Sequence, residues 1–436
     1  MGTRQRGISR RSALIAAGVV GAGLTGAGFG WYRGVPRQVA LRSATAAFTG
    51  PGSRALVDTA DVAALYPGSR VLRSAVGAER LLRQEQEWFA TGADWTLRPG
   101  RHADLLRCAL LDLRVLLLPN GAALAGWSSP WRYVWPRDAA FAAAALSATG
   151  HLDDACRVLQ FLDSNLPDEG WLESRYRPDG SGTPDARAKQ LDSFGWVLWS
   201  AGQLAADWPG DAAELLQPVA SLLRHCAAGS IAAVDNEDAL PPPSPDYWEK
   251  REFTQTLGIA APLLAGLRTA AKVLPMLGSA ALGTEATRAA YRLQTAIHGR
   301  YGADGYPRSL GRRARDTSVA FLLPPFADTV HPDVAKAAAA ARFGMARPAG
   351  GIAPGESWPQ DGVSWTPQTA LFGLTDAAMG DRTKAIATLD WLSEHRTSAG
   401  SLPEKVLFDG SPADVAPLSW TASTVLLTLA KLRKLT

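Results

Sequence analysis

The sequence predicts an all-α protein, an (α/α)6 barrel (six-hairpin toroid) in which outer and inner helices alternate. Three observations carry the prediction. From His102 onward, apolar residues recur at helical spacing in twelve blocks, about 102–117, 137–149, 151–165, 188–207, 211–228, 252–274, 280–300, 316–324, 331–343, 365–379, 380–397 and 418–435. The second and third blocks, like the tenth and eleventh, are joined almost directly, while loops rich in Trp, Gly, Pro and charge lead into the second, fourth, sixth, tenth and twelfth. Even blocks such as Ala139 to Leu146 are apolar nearly all round, as inner helices should be, and odd blocks such as Asp153 to Leu166 keep a polar face. A solenoid of helical hairpins is the alternative, and no fixed sequence period supports it.

Residues 75–436 form the barrel domain in this reading, with 75–89 as a short preceding helix, and residues 33–74, rich in Gly, Pro, Ser and Ala, form a linker running into a rim segment. Residues 1–32 read as a signal or membrane anchor. Ser9-Arg10-Arg11-Ser12-Ala13-Leu14-Ile15 resembles the twin-arginine signature, and the stretch from Ala13 to Tyr32 is uncharged. The expected partner is therefore the twin-arginine export machinery. The expected location is beyond the bacterial cytoplasmic membrane: periplasmic or cell-envelope, membrane-anchored, or secreted. At about 20 residues the stretch could span a bilayer, although its glycines make a poor helix, so cleavage and retention both stay open. The first usable small-residue site, Ala44-Thr45-Ala46, lies well past the apolar run and favours retention; the absence of cysteine before Cys108 excludes a lipid-modified cysteine at the signal's end.

Composition narrows the function. The chain has 436 residues, 47% of them hydrophobic, enough for a sizeable core. Its net charge of +4 resides in Arg4, Arg6, Arg10 and Arg11, which leaves the body near neutral and removes the case for nucleic-acid binding. Cys108, Cys156 and Cys226 are too few and too odd in number for a disulfide framework and are expected as free thiols. The six histidines form no metal-ligand spacing, and Gly180-Ser181-Gly182 is a loop rather than a phosphate cradle, so neither metal nor cofactor is expected.

Two glutamates carry the chemistry. Asp246-Tyr247-Trp248-Glu249 sits just ahead of the sixth block and Leu402-Pro403-Glu404 ahead of the twelfth. An inverting glycoside hydrolase needs one carboxylic acid to protonate the leaving oxygen and one carboxylate to activate water, roughly 6.5–9.5 Å apart so that the water fits. Glu249 as acid and Glu404 as base would supply that pair. A helix start, Lys250 and Arg251 would all favour an ionised Glu249, so the acid role requires Trp248, Tyr247, Asp246 and Glu404 to oppose them. Of the 15 tryptophans, Trp131, Trp135, Trp171, Trp248, Trp358, Trp365 and Trp420 fall in the odd-to-even loops or at helix starts, where their rings could stack on sugar faces.

Laid side by side, these junctions resemble glycoside hydrolase family 15, the glucoamylase-like enzymes, from about residue 100 to the end. Trp131-Arg132-Tyr133-Val134-Trp135-Pro136-Arg137-Asp138 is similar to the family segment whose Arg-Asp pair holds the terminal glucose. Gln190-Leu191-Asp192 resembles the Gln-x-Asp ahead of the fourth helix, Trp248-Glu249 the segment of the general acid, and Leu402-Pro403-Glu404 with Trp420 that of the general base. The resemblance implies an exo-acting hydrolase of α-linked sugars, with Arg137, Asp138, Trp135, Gln190, Asp192, Asp246, Trp248, Trp365 and Trp420 at the oligo- or polysaccharide substrate. On their own chemistry, Gln190 and Asp192 fit either substrate binding or a helix cap, and Asp246 fits orientation of the acid.

The chain departs from the family in two places. The loop from Gly350 to Trp365 lacks the arginine that glucoamylases use for the terminal glucose, and Lys250 stands where many members carry a second acid. Starch is therefore doubtful, and an envelope glycan becomes credible beside a glucan-type substrate. The β-sandwich that precedes the barrel in many bacterial members is also missing. The rivals are a trehalase- or phosphorylase-type relative and a catalytically silent, membrane-tethered glycan-binding protein on the same barrel.

Overall fold

The computed structural model describes residues 36–167 and 170–435. The signal or anchor expected over residues 1–32 lies outside the described residues. Strands β1 (Thr45–Gly50) and β2 (Ser53–Val57) pair antiparallel across Pro51-Gly52, where Gly52 takes the left-handed conformation that the turn needs. The stretch expected as a linker thus contains a packed hairpin: Ala44, Ala46 and Ala47 are fully buried, and Thr45 Oγ1 lies 2.7 Å from Ser401 Oγ. A cut after Ala46 would pass through β1 and detach Thr45 from that partner.

Thirteen helices follow among the described residues: α1 (Ala78–Ala90), α2 (Ala103–Leu116), α3 (Pro136–Ala148), α4 (Leu152–Ser164), α5 (Asp192–Asp207), α6 (Ala212–Leu216), α7 (Ala220–Val234), α8 (Leu257–Met276), α9 (Ala280–Ala296), α10 (Pro332–Gly344), α11 (Thr366–Ala378), α12 (Arg382–Glu394) and α13 (Ser419–Arg433). They follow the periodic blocks, and prolines reshape two of these. Pro218, which has no N–H to donate, interrupts the fifth block, so that a 3-10 turn separates α6 from α7. The eighth block is only a six-residue 3-10 helix, Thr317–Leu322, because Pro324-Pro325 follows and bars a longer one.

The inner elements close on themselves. Helix α3 packs on α5, α5 on α8, α8 on the 3-10 helix, that on α11, α11 on α13, and α13 back on α3. Helices α2, α4, α7, α9, α10 and α12 lie outside this ring, and the fold is an (α/α)6 barrel. Helix α4 shows why an outer helix sits where it does: Asp154, Ala155, Val158, Leu159, Phe161 and Leu162 bury one stripe and leave the other face to solvent. Inner helices are packed from both sides. Residues Pro136 to Ser147 of α3 are all buried, and α8, long and apolar enough by composition to cross a membrane, is likewise a buried barrel helix. Small residues permit this closeness, since a Cβ on Gly195 of α5 would lie 2.1 Å from the carbonyl oxygen of Pro262 in α8.

Aromatic rings fill the barrel axis. Trp196 meets Phe321 at 4.7 Å and Phe141 at 5.1 Å between centroids, and Phe141 reaches Trp420 at 5.8 Å. Trp420 and Tyr247, 6.1 Å apart, continue this plug towards the end of the barrel where the inner helices begin. At that end β3 (Ser364–Trp365), β4 (Lys405–Val406) and β5 (Pro412–Ala413) form a small antiparallel sheet, with Trp365 opposite Lys405 and Lys405 opposite Ala413.

Candidate active site

Glu249 and Glu404 line one cavity of about 520 Å³, together with Arg137, Asp138, Trp135, Trp248, Trp365 and Trp420. Gln190 and Asp192 stand behind its lining, each bonded to Arg137, and Asp246 lies deeper. The indole nitrogens of Trp135, Trp248, Trp365 and Trp420 are buried without a hydrogen-bond partner. The cavity's carboxylates, guanidinium groups and tryptophan rings suit an occupant with both hydroxyl groups and apolar faces.

Glu249 is not at a helix start, which differs from the sequence expectation. Helix α8 begins at Leu257, because Thr256 is extended and bridges Ser309 while Leu257 N–H donates to the Arg308 carbonyl at 2.8 Å. Glu249 instead ends a tight turn. Asp246 Oδ1 accepts from Trp248 N–H at 2.9 Å, the Asp246 carbonyl accepts from Glu249 N–H at 2.8 Å, and Glu249 itself adopts a left-handed φ of 53°. A non-glycine residue in that region costs energy and persists only where its surroundings enforce it. The enforcement comes from Arg308, which donates to Asp246 at 2.7 Å and to Glu252 at 2.8 Å, lies 3.2 Å from Asp316 and covers the Trp248 ring at 4.2 Å. Asp246, fully buried, therefore builds the turn rather than facing the cavity.

The expected neighbours of Glu249 also change. Lys250 turns to the rings of Trp248 and Trp358, at 5.1 and 4.4 Å, and Arg251 to Phe253. The cations on Glu249 are Arg187, in direct ion-pair contact, and Arg137, 3.6 Å away, while Gln190 Nε2 donates to it at 3.4 Å. Arg137 is the hub of this wall. Its NH1 donates to Gln190 Oε1 at 3.0 Å and to Asp192 Oδ2 at 3.2 Å, its guanidinium lies 5.2 Å from the Trp420 ring centroid, and its Nε has no hydrogen-bond partner. Burial opposes its charge, but Asp192, Asp138 and Glu249 outweigh burial and hold it firmly protonated. Burial pushes Asp138 up to about 6, with Arg137 pulling down and Glu249 pushing further up. Asp192, the first residue of α5, is likewise raised to about 6 by burial against the pull of Arg137, and it serves Arg137 rather than a helix cap.

Glu404 is held from its backbone. Its N–H donates to the Val415 carbonyl at 2.8 Å and its carbonyl accepts from Thr366 N–H at 3.0 Å. The preceding residues are anchored by a buried cluster in which Arg70 donates to Asp112 at 2.9 Å and to Ser401 at 3.0 Å, and Leu402 N–H donates to Asp112 at 3.1 Å. The rim segment thus reaches the site through Arg70. Burial raises the Glu404 carboxyl to about 7 against the Lys405 cation, with Asp414 adding to the rise. A carboxylate so placed is a stronger base than a solvated one.

Several residues of the site are not marked by the sequence: Arg175, Arg187, Gln368 and Lys405 line the cavity, and Arg308 with Asp316 supports the Glu249 turn. Gln368 did carry a signal. Trp365-Thr366-Pro367-Gln368 repeats the aromatic, proline, polar order of Trp135-Pro136-Arg137, and proline in the first helical turn puts the next side chain at the mouth of the barrel. Its Oε1 is buried without a partner.

Fold and cleft together define a class, an (α/α)6-barrel protein with a tryptophan-walled cleft that holds carboxylates. Among solved structures, a glycosidase matches with a TM-score of 0.67 over 77% of this chain and 99% of its own, at 23% identity. A bacterial glucoamylase complexed with acarbose matches with a TM-score of 0.68 over 83% of this chain and 59% of its own, at 17% identity. Among curated proteins, an isomaltose glucohydrolase of Kribbella flavida is 28% identical over 332 residues, 68% of this chain and 81% of its own length. No protein-family model matches the chain.

Proposed function

We propose that the protein is an inverting, exo-acting glycoside hydrolase of α-linked sugars. The observation that carries the reading is the sharing of one tryptophan-walled cavity by Glu249 and Glu404, which come from segments 155 residues apart in the chain. Glu249 protonates the glycosidic oxygen and Glu404 takes a proton from the water that attacks the anomeric carbon, which inverts its configuration. Arg137 and Asp138 grip the hydroxyls of the terminal sugar, and the tryptophan rings stack on its apolar faces. The names of the relatives support the reaction class, and isomaltose joins glucan-type and envelope glycans as a candidate substrate. The loop from Gly350 to Trp365 contributes Pro354, Trp358 and Trp365 to the lining and no arginine, which supports a substrate other than starch. The twin-arginine-like start supports export, which fractionation of the native host checks.

Release of sugar across a panel of α-linked oligosaccharides, isomaltose included, tests the reaction. Glu249→Gln and Glu404→Gln should each lose roughly 100- to 10,000-fold in kcat, the usual worth of a general acid or base; full activity in both would sink the assignment. One observation favours a silent, glycan-binding protein: Arg187 occupies Glu249 directly, and an ion-paired carboxylate donates no proton. In the hydrolase reading an entering sugar displaces Arg187. Sugar binding with no turnover on any member of the panel would decide for the silent reading.

A further inference from the structure

Glu404 does not stand alone beside the cavity. Its Oε2 is shielded from solvent and lacks a hydrogen bond, yet lies 3.1 Å from Lys405 Nζ. The same ammonium contacts Asp414 and rests 4.3 Å from the centroid of the Trp365 ring. Asp414 is anchored in turn: Arg42 Nε donates to it at 2.9 Å, and its backbone takes a left-handed φ of 63°. Strand pairing fixes the backbone of Lys405 on both sides, against Trp365 and Ala413. The ammonium is therefore held by a carboxylate, a ring and the sheet independently of Glu404. Burial works against its charge, and Glu404 and Asp414 outweigh burial.

Resting on the hydrolase reading above, we propose that Lys405 is a positioning residue for the general base: it holds Oε2 of Glu404 and leaves Oε1 to meet the attacking water. Its charge also opposes protonation of Glu404, which burial and Asp414 would otherwise favour. The charged groups facing this pair are Asp414 beyond β5, Arg42 behind it on the chain ahead of β1, and, across the cavity, Arg137 and Asp138 of α3, Glu249 of the acid turn, and Arg175 and Arg187.

The test is a titration that needs no turnover. The side-chain carboxyl carbon of Glu404 is followed by NMR in the full chain, its signal assigned by its loss in Glu404→Gln. Removing an opposite charge in contact with a carboxylate raises its midpoint by about one to three pH units, so Lys405→Met and Lys405→Gln should both show such a rise. Lys405→Arg, which keeps the charge, should restore most of the original midpoint. Unmoved midpoints in folded Met and Gln variants would overturn the role of Lys405. Where the wild type turns over substrate, the acidic limb of kcat against pH should move upward with the titration. A moved titration beside an unmoved limb would overturn Glu404 as the base, and a moved titration in a wild type without turnover would overturn the hydrolase reading alone.

Discussion

Arg308 offers the sharpest test of how the Glu249 turn is built. Its side chain, 7% exposed, is shared among Asp246 and Asp316, at 0% and 1%, and Glu252, at 16%. Arg308→Met keeps most of the bulk against Trp248 and removes the charge, leaving two carboxylates buried without their cation. Losing one partner of a buried ion pair costs about 3–5 kcal/mol, and retained packing places this case near 3 kcal/mol, a roughly hundredfold shift of the unfolding equilibrium. Burial already raises Asp316 to about 6 against the pull of Arg308, so without Arg308 it rises further. A folded-state value above the unfolded one means that the native state takes up the proton first. Stability is then gained as pH falls through the folded value towards the unfolded one, near 3.9. The deficit of Arg308→Met should therefore be larger at pH 8 than at pH 5. Urea unfolding followed by tryptophan fluorescence measures it, and adding Asp246→Asn should recover at least about 1 kcal/mol because one orphaned charge disappears. An Arg308→Met variant within about 1 kcal/mol of wild type at pH 8, or no recovery by Asp246→Asn, would refute this account of the turn.

Two further outcomes test the barrel. Gly195→Ala would put a methyl 2.1 Å from a backbone oxygen of α8, so α5 and α8 must separate and thermal unfolding should register a loss of roughly 1–3 kcal/mol or more; an unchanged midpoint would contradict the backbone contact. His151, stacked 3.9 Å from the Trp88 ring, is held down to about 4 by burial. Because the unfolded chain takes up that proton first, stability should fall between pH 6.5 and pH 4 by up to about 3 kcal/mol. His151→Gln should flatten that interval relative to wild type, and parallel pH profiles for the two proteins would contradict it.

How much of this was legible in the sequence depends on the range of the interaction. Inner helices α3, α5, α8, α11 and α13 announce themselves because burial all round demands apolar residues all round, and their tryptophan-bearing loops mark the open end. The eighth block looked helical by periodicity, yet Pro324-Pro325 limited it to a 3-10 helix. The hairpin of β1 and β2 was missed because small residues such as Ala46 and Ala47 give little alternation, and the strands are fixed by contacts as distant as Thr45 to Ser401. At the site, Glu249, Glu404 and the Arg137-Asp138 pair stood out locally. Arg308 and Lys405 did not, since each acts through a charge cluster that only the folded chain assembles, and a lone basic residue in a loop reads as a solvated one. The displaced start of α8 has the same cause: the bridge from Thr256 to Ser309 and the hydrogen bond from Leu257 to Arg308 set it, and neither is visible in local sequence.

The most direct measurement of the central claim is proton NMR of the first sugar released from an α-linked disaccharide, recorded before mutarotation. Water delivered by Glu404 to the face opposite the bond that Glu249 cleaves gives the β-anomer. Initial appearance of the α-anomer would contradict the assignment of the two glutamates as an inverting pair.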